Sequence, residues 1–306
     1  MTYGWAILII AIVLGALFQL GVFNGQNFAP RTPPGACQVF RPNGPGSTLD
    51  INLEGECQGV LPEYVAQYAA TYYSTVPNDA SINTAWSGGS WTITAWFYLS
   101  SSVAGNAGQW IAEEAWGCTS GLWFSPGASA ISISASMWST SGSNCAGSGQ
   151  GSAGSQISEY TPTTAPYNQW VFATAEFNYF GGGTGNVIAC YNAICSSTPW
   201  SGTPTDYALD NSWNFVFGGA GTCCGPPYSP IKLANIQLYN TSLSPAEITA
   251  LYLEGIGGAP ISPQYIVGWW PLNGNAQDYS GNGNNGQING GGVTFSSSYL
   301  NGYTAP

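Results

Sequence analysis

Trp91-Thr92-Ile93-Thr94-Ala95-Trp96-Phe97-Tyr98-Leu99 decides the fold. Alternation places Trp91, Ile93, Ala95, Phe97 and Leu99 on one face and Thr92, Thr94, Trp96 and Tyr98 on the other. A period of two in β-branched and aromatic residues is the pattern of a strand, and the bulky apolar face predicts a core beneath it. Ile131, Ile133, Ala135 and Met137 alternate with Ser132, Ser134 and Ser136 in the same way. Stretches 170–180 and 213–217 carry aromatics on both faces, as strands covered on two sides do. Turns rich in Gly, Pro, Ser and Asn separate these short runs, which predicts a mainly β protein with an antiparallel sandwich from about residue 61.

One helix interrupts the strands. Ser244-Pro245-Ala246-Glu247 supplies an N-cap, a proline at the first helical position and a capping-box glutamate. Ile248, Leu251 and Tyr252 then share a face, and Gly255 offers the stop.

The other end of the chain obeys different physics. Residues 1–23 contain no charged side chain, and 5–18 are apolar or Gly throughout. As a helix this run is roughly 34 Å long, enough to cross a hydrocarbon core of about 30 Å. It lacks the basic start and small-residue cleavage site of a secretory signal, the first basic residue being Arg31. The expectation is one long N-terminal α-helix over residues 1–25, held by a membrane or by other copies of the chain. Residues 26–60 follow as a Pro/Gly-rich stalk, with Pro30, Pro33, Pro34, Pro42 and Pro45 excluding helix. A Cys37–Cys57 disulfide would close it and contribute roughly 3 kcal/mol.

Composition points outside the cell. Of 306 residues, 14 are Asp or Glu, 3 are Lys or Arg and none is His, a formal charge of −11 that leaves nothing to neutralise nucleic-acid phosphates. Eight cysteines behind an apolar start imply disulfides and an extracellular, oxidising location. Cys190 and Cys195 flank Tyr191-Asn192-Ala193-Ile194, a spacing that suits a bridge across a four-residue hairpin loop. Cys118, Cys145, Cys223 and Cys224 admit several pairings, and the adjacency of the last two without any His disfavours zinc. So few charges and no histidine also predict tolerance of low pH.

Two family resemblances add to this reading. Met1-Thr2-Tyr3-Gly4-Trp5-Ala6-Ile7-Leu8-Ile9-Ile10-Ala11-Ile12-Val13-Leu14 resembles the N-terminal helix of archaeal type IV pilin-like surface proteins. That resemblance implies a filament core built from Trp5, Ile7, Leu8, Ile9, Ile10, Ile12, Val13, Leu14, Leu17 and Phe18, with other copies of the chain as partners and the membrane as host before assembly. Such proteins carry a basic leader removed by a dedicated peptidase, and many have a glutamate near the helix start. Neither stands here, so the expectation is a chain already processed or truncated upstream. Ser90 to Tyr98, Gln169 to Ala173, and Ile231 to Asn240 with the capped helix are similar to laminin-G-type domains. They imply an antiparallel jelly-roll (concanavalin A-like) sandwich over residues 61–262. Val267-Gly268-Trp269-Trp270-Pro271-Leu272 and the stretch 278–286 resemble a segment that usually begins such domains. Here residues 263–306 come last, and either complete their own sandwich in cis or are donated to a neighbour.

Chemistry is sparse. Without histidine a nucleophilic triad has no base, and Glu113 and Glu114, being adjacent, would point to opposite faces of a strand. Glu176 stands alone in its strand, so no enzyme is expected. Trp110, Trp116, Trp123 and Trp138 are candidates for stacking on surface glycans, although sandwich cores also consume tryptophan. Asp278 with Asn282 and Asn284 is a candidate calcium site, since laminin-G-like domains sometimes bind that ion, yet calcium favours several carboxylates. Asn240-Thr241-Ser242 is a sequon, making Asn240 a glycosylation candidate. Together these readings describe a pilin-like filament subunit with an outer sandwich able to adhere to glycans; the alternative is a membrane-anchored surface lectin that does not polymerise.

Overall fold

Alternation in the strands has two covers to satisfy, and the structure supplies both. The computed structural model describes residues 61–87, 89–114, 120–139, 155–201, 214–218 and 229–306. The predicted helix over 1–25, the Cys37–Cys57 stalk, Cys118, Cys145, Cys223, Cys224 and Trp116 lie outside the described residues. In chain order the first elements are β1 (Val65–Tyr68), β2 (Tyr73–Val76), α1 (Ala80–Ser87), β3 (Trp91–Tyr98), β4 (Gln109–Glu114), β5 (Gly121–Pro126), β6 (Ile131–Ser139) and β7 (Ser155–Tyr160). Then come β8 (Trp170–Gly181), β9 (Thr184–Tyr191), β10 (Ile194–Ser201), β11 (Phe215–Phe217), β12 (Ile231–Tyr239), α2 (Pro245–Leu253), β13 (Ile266–Trp270), β14 (Gln287–Asn289) and β15 (Val293–Ser296). One sheet runs β10-β9-β8-β3-β12-β1-β15, with β13 also on β12; the other runs β14-β2-β11-β4-β5-β6-β7. The strand pairs are antiparallel, as in β3 against β8 or β5 against β6.

Between the sheets lie Trp91, Ile93, Ala95, Phe97 and Leu99, meeting Phe124, Ile133 and Ala135 from the second sheet. Each such side chain contributes about 1.5–3 kcal/mol by leaving water. The opposite face of β3 is buried too. Trp96 joins Trp170, Phe172, Leu243, Ile248 and Leu251 in a second apolar cluster beneath α2. Tyr252 stacks on Trp96 at 6.0 Å. The aromatics on both faces of β8 follow from this double cover.

The α2 helix begins as its sequence dictates. Ser244 accepts the Glu247 N–H, Glu247 answers with a bond from the Ser244 N–H, and Pro245 occupies the first turn. Gly255 stops the helix with a left-handed φ of 77° that a side chain would strain.

The helix α1 departs from the expectation of a single helix beyond the N-terminal one. Asp79 accepts the N–H groups of Ser81 and Ile82 at 2.8 and 3.0 Å, capping the helix start. Ile82, Ala85 and Trp86 are buried, and Trp86 meets Trp91 edge-on at 5.1 Å. Tertiary burial outweighs the turn-like look of Pro77-Asn78-Asp79.

Residues 263–306 pair within the chain, and with both sheets. Strand β13 runs along β12, β15 along β1, and β14 along β2. Because successive side chains alternate, Trp270 enters the inter-sheet core, stacking on Phe215 at 5.2 Å, while Trp269 enters the cluster under α2. Gly268 makes this possible: a Cβ there would lie 2.1 Å from the Trp270 ring.

The Cys190–Cys195 bridge forms, with Cα atoms 4.1 Å apart on directly opposed residues of β9 and β10. Its loop is tighter than the four residues expected. Tyr191 pairs with Ile194, leaving Asn192 and Ala193 at φ 46° and 63° to make the turn. Two consecutive left-handed residues match the right-handed twist of a hairpin.

Candidate functional site

The predicted calcium trio does come together, but as a lock rather than a site. Asp278 is fully buried. Its Oδ1 accepts the N–H groups of Trp269 and Ser280 at 2.9 and 2.7 Å. Its Oδ2 accepts the Ser280 hydroxyl and the Asn284 N–H at 2.8 and 2.9 Å. A carboxylate offers about four acceptor positions, so the chain takes them all. Asn282 and Asn284 turn their amide N–H groups onto the Val267 carbonyl at 3.0 and 2.7 Å. The calcium reading of Asp278, Asn282 and Asn284 is therefore corrected: these residues pin the turn 278–284 against β13.

Of the predicted aromatic platform, Trp110 and Trp123 are brought together as opposed residues of β4 and β5, ring centroids 5.1 Å apart and edge-on. Their neighbours Ile111 and Leu122 face the core between the sheets. Trp110 is 4% exposed, too covered to offer a face, whereas Trp123 is half-buried. Gly108 lies so close to the Trp123 ring that a Cβ would sit 2.5 Å from it. Trp138 falls within β6. Glu113 and Glu114 are both buried on β4. Asn240 directly follows β12 and is half-buried.

A feature that sequence reasoning missed lies on the outer side of the eight-stranded sheet. A cavity of about 470 Å³ opens where the N-terminal end of α2 meets β8 and β9. Glu176 of β8 lines it, between Thr92 of β3 and Ile188 of β9 in the ladder. The Ser242 hydroxyl donates to Glu176 Oε1. Oε2 has no hydrogen-bond partner among the described residues, although Glu176 is only 1% exposed. Burial pushes this carboxyl up to about 7; the Ser242 bond and a backbone bond from Leu243 oppose that rise, and the charge of Glu247 adds to it.

Glu247 lines the same cavity but is differently held. It accepts the Ser244 N–H at 2.8 Å, the Ser244 hydroxyl at 2.7 Å and the Ser262 hydroxyl at 2.6 Å. The Ser262 bond, then those from Ser244, hold its carboxyl below the usual range. Ile188, Leu243, Pro245 and Ile248 furnish apolar wall, and Cys195 brings the disulfide to the rim. The one signal in the sequence was the lone Glu176 amid aromatic and small residues of a strand covered on both faces.

No protein-family model matches the chain. No curated protein matches it. Solved structures do resemble it. A Bacteroides ovatus protein named for carbohydrate binding is 12% identical with a TM-score of 0.50; the match covers 77% of this chain, which spans 60% of that one. A pentraxin from Limulus polyphemus is 9% identical over 78% of this chain and 91% of its own, with a TM-score of 0.42. The binding domain of botulinum neurotoxin serotype C1 is 13% identical over 63% and 47%, with a TM-score of 0.40. At such identities likeness speaks for fold alone. By fold the chain is a mainly β protein, two antiparallel sheets packed as a jelly-roll sandwich.

Proposed function

We propose that this chain is a subunit of an extracellular, type IV pilus-like filament that carries its sandwich outward as a glycan-binding module. The observation that supports this most is the contrast between its two ends. Residues 1–23 are an apolar run that must be covered by lipid or by copies of itself, while the sandwich completes its sheets with its own β13, β14 and β15. A module that needs no strand from a neighbour leaves assembly to the N-terminal run. Electron microscopy of native material tests it. Ordered helical fibres that vanish on deleting residues 1–23, with the sandwich still folded, are the expected result; dispersed single particles from the intact chain overturn it.

A second reading, a membrane-anchored glycan-binding protein that does not polymerise, is favoured by the half-buried Trp123 ring lying over Gly108. The fold shared with a protein named for carbohydrate binding points the same way. Both readings place glycan contact at Trp123, so Trp123→Ala should abolish binding on a glycan array, and an array silent for the intact chain removes that role.

A further inference from the structure

We propose that Asn301 is a site of spontaneous deamidation, an ageing switch that loosens the hold of the C-terminal residues on β8 and α2. Neither the mode of assembly nor any glycan at Trp123 bears on it.

Asparagine followed by glycine is the pair most open to this reaction, because glycine has no Cβ to hinder attack by its own nitrogen. Residues 263–306 hold five such pairs, beginning at Asn273, Asn282, Asn285, Asn289 and Asn301. The fold treats them unequally. Asn273 Oδ1 accepts the Tyr64 N–H at 2.8 Å, and Asn285 Oδ1 accepts the Asp278 N–H at 3.0 Å. The Asn282 amide donates to the Ile266 and Val267 carbonyls, and that of Asn289 to the Thr75 hydroxyl. At Asn285 the nucleophile is tied as well, since the Gly286 N–H donates to the Ala276 carbonyl at 2.8 Å. Asn301 is exposed, and its side chain makes no hydrogen bond among the described residues. A held asparagine must first break its bond before the amide carbon can swing onto the next nitrogen, which slows it about three- to tenfold.

The step needs no co-reactant but water. The Gly302 nitrogen, its proton taken by hydroxide, attacks Asn301 Cγ. The Cγ–Nδ2 bond breaks, the leaving nitrogen takes a proton from solvent, and ammonia departs from a closed succinimide ring. Water then opens the ring. Cleavage of the Gly302 nitrogen from Cγ leaves aspartate; cleavage from the Asn301 carbonyl carbon leaves isoaspartate, with an extra methylene in the main chain.

That methylene falls where the main chain has no slack. The Gly302 carbonyl accepts the Trp170 N–H at 2.7 Å, and a Cβ on Gly302 would lie 2.4 Å from the Asn168 carbonyl oxygen. One residue on, the Tyr303 hydroxyl accepts the Ile256 N–H at 3.2 Å, and its ring meets Trp96 edge-on at 5.6 Å. Just before, the Tyr299 carbonyl accepts the Trp170 indole N–H at 2.9 Å. Lengthening the chain between Tyr299 and Tyr303 puts these contacts out of step, and close packing leaves no room to absorb the change.

Incubation of the full chain in detergent at pH 8, followed by peptide mapping with mass spectrometry, tests the proposal. Aspartate and isoaspartate should accumulate at 301 about three- to tenfold faster than at Asn273, Asn282, Asn285 or Asn289, with the gap closing in concentrated urea. Amide exchange at Trp170 and Ile256 should quicken in the isoaspartate fraction. Asn301→Gln, whose longer side chain closes a ring far more slowly, should keep both amides protected over the same time. Faster conversion at any of the other four, or an unreacted Asn301 while the chain in urea converts, overturns the site. Unchanged exchange at Trp170 and Ile256 in a fraction fully converted to isoaspartate overturns the switch.

Discussion

Asp278 and Glu176 are both carboxylates buried in the same sandwich, and they are built in opposite ways. Asp278 accepts four hydrogen bonds from its own chain. Glu176 accepts the Ser242 hydroxyl and keeps Oε2 buried with no hydrogen bond among the described residues. Glu247 stands between them with three. Burial alone therefore does not fix how a carboxylate is held. The count of committed acceptors does, because an unbonded oxygen in a dry place is retained at a cost in stability.

The widest gap should appear on removing the satisfied member. Asp278→Ala strands the N–H groups of Trp269, Ser280 and Asn284, and should destabilise the fold by about 3–5 kcal/mol. Urea unfolding reads this directly, and a loss below about 1 kcal/mol would break the comparison.

Glu176 should behave in the reverse sense. Its folded-state carboxyl is raised from 4.5 to about 7, so the folded chain holds the proton more tightly than the unfolded one. That contribution is complete below about pH 4.5 and is lost as pH rises through 7, a swing on the order of 3 kcal/mol. Denaturant midpoints should accordingly climb between pH 8 and pH 5, and Glu176→Gln should flatten the climb. Glu247, held below its ordinary value, acts with the other sign and gives up stability only as pH falls through its lowered range. This agrees with the tolerance of acid expected from so few charges, and a collapse of the midpoint between pH 6 and 3 would contradict it.

Opening the rim of the cavity comes next in size. Replacing Cys190 and Cys195 by serine should cost about 2 kcal/mol for so short a loop, measured as a fall in thermal midpoint relative to the oxidised chain. The smallest effect belongs to the intermediate carboxylate. Ser244→Ala removes the N-cap and one donor to Glu247, and should cost about 1 kcal/mol with helix α2 still formed by amide exchange.

How much of this was legible depended on sequence distance. The strand around Trp96, the capping box at Ser244 and the Cys190–Cys195 bridge are each written within about ten residues, where period and spacing suffice. The cap of α1 is equally local, yet Asp79 follows Pro77 and Asn78, residue types common in turns. Asp278 was singled out for its oxygen chemistry, and only the fold shows that Trp269, Ser280 and Asn284 already occupy it. The cavity was beyond reach, since Glu176 and Ser242 are 66 positions apart and meet only once α2 lies across β8 and β9. A strand interior that contains a single acid among apolar neighbours is the nearest thing to a written sign of it.

The in-cis placement of the last strands sets a timetable for manufacture. Strand β1 begins at Val65, and one of its two neighbours, β15, ends at Ser296. Strand β2 likewise waits for β14, and β12 for β13. A growing chain gains residues at about 5–20 per second, so the early strands spend many seconds with an open edge. The apolar N-terminal run is made long before any of this, while the polypeptide behind it is still unfinished. The sandwich closes only once residues 266–296 are made, and a stall before residue 266 should leave a product that proteases digest.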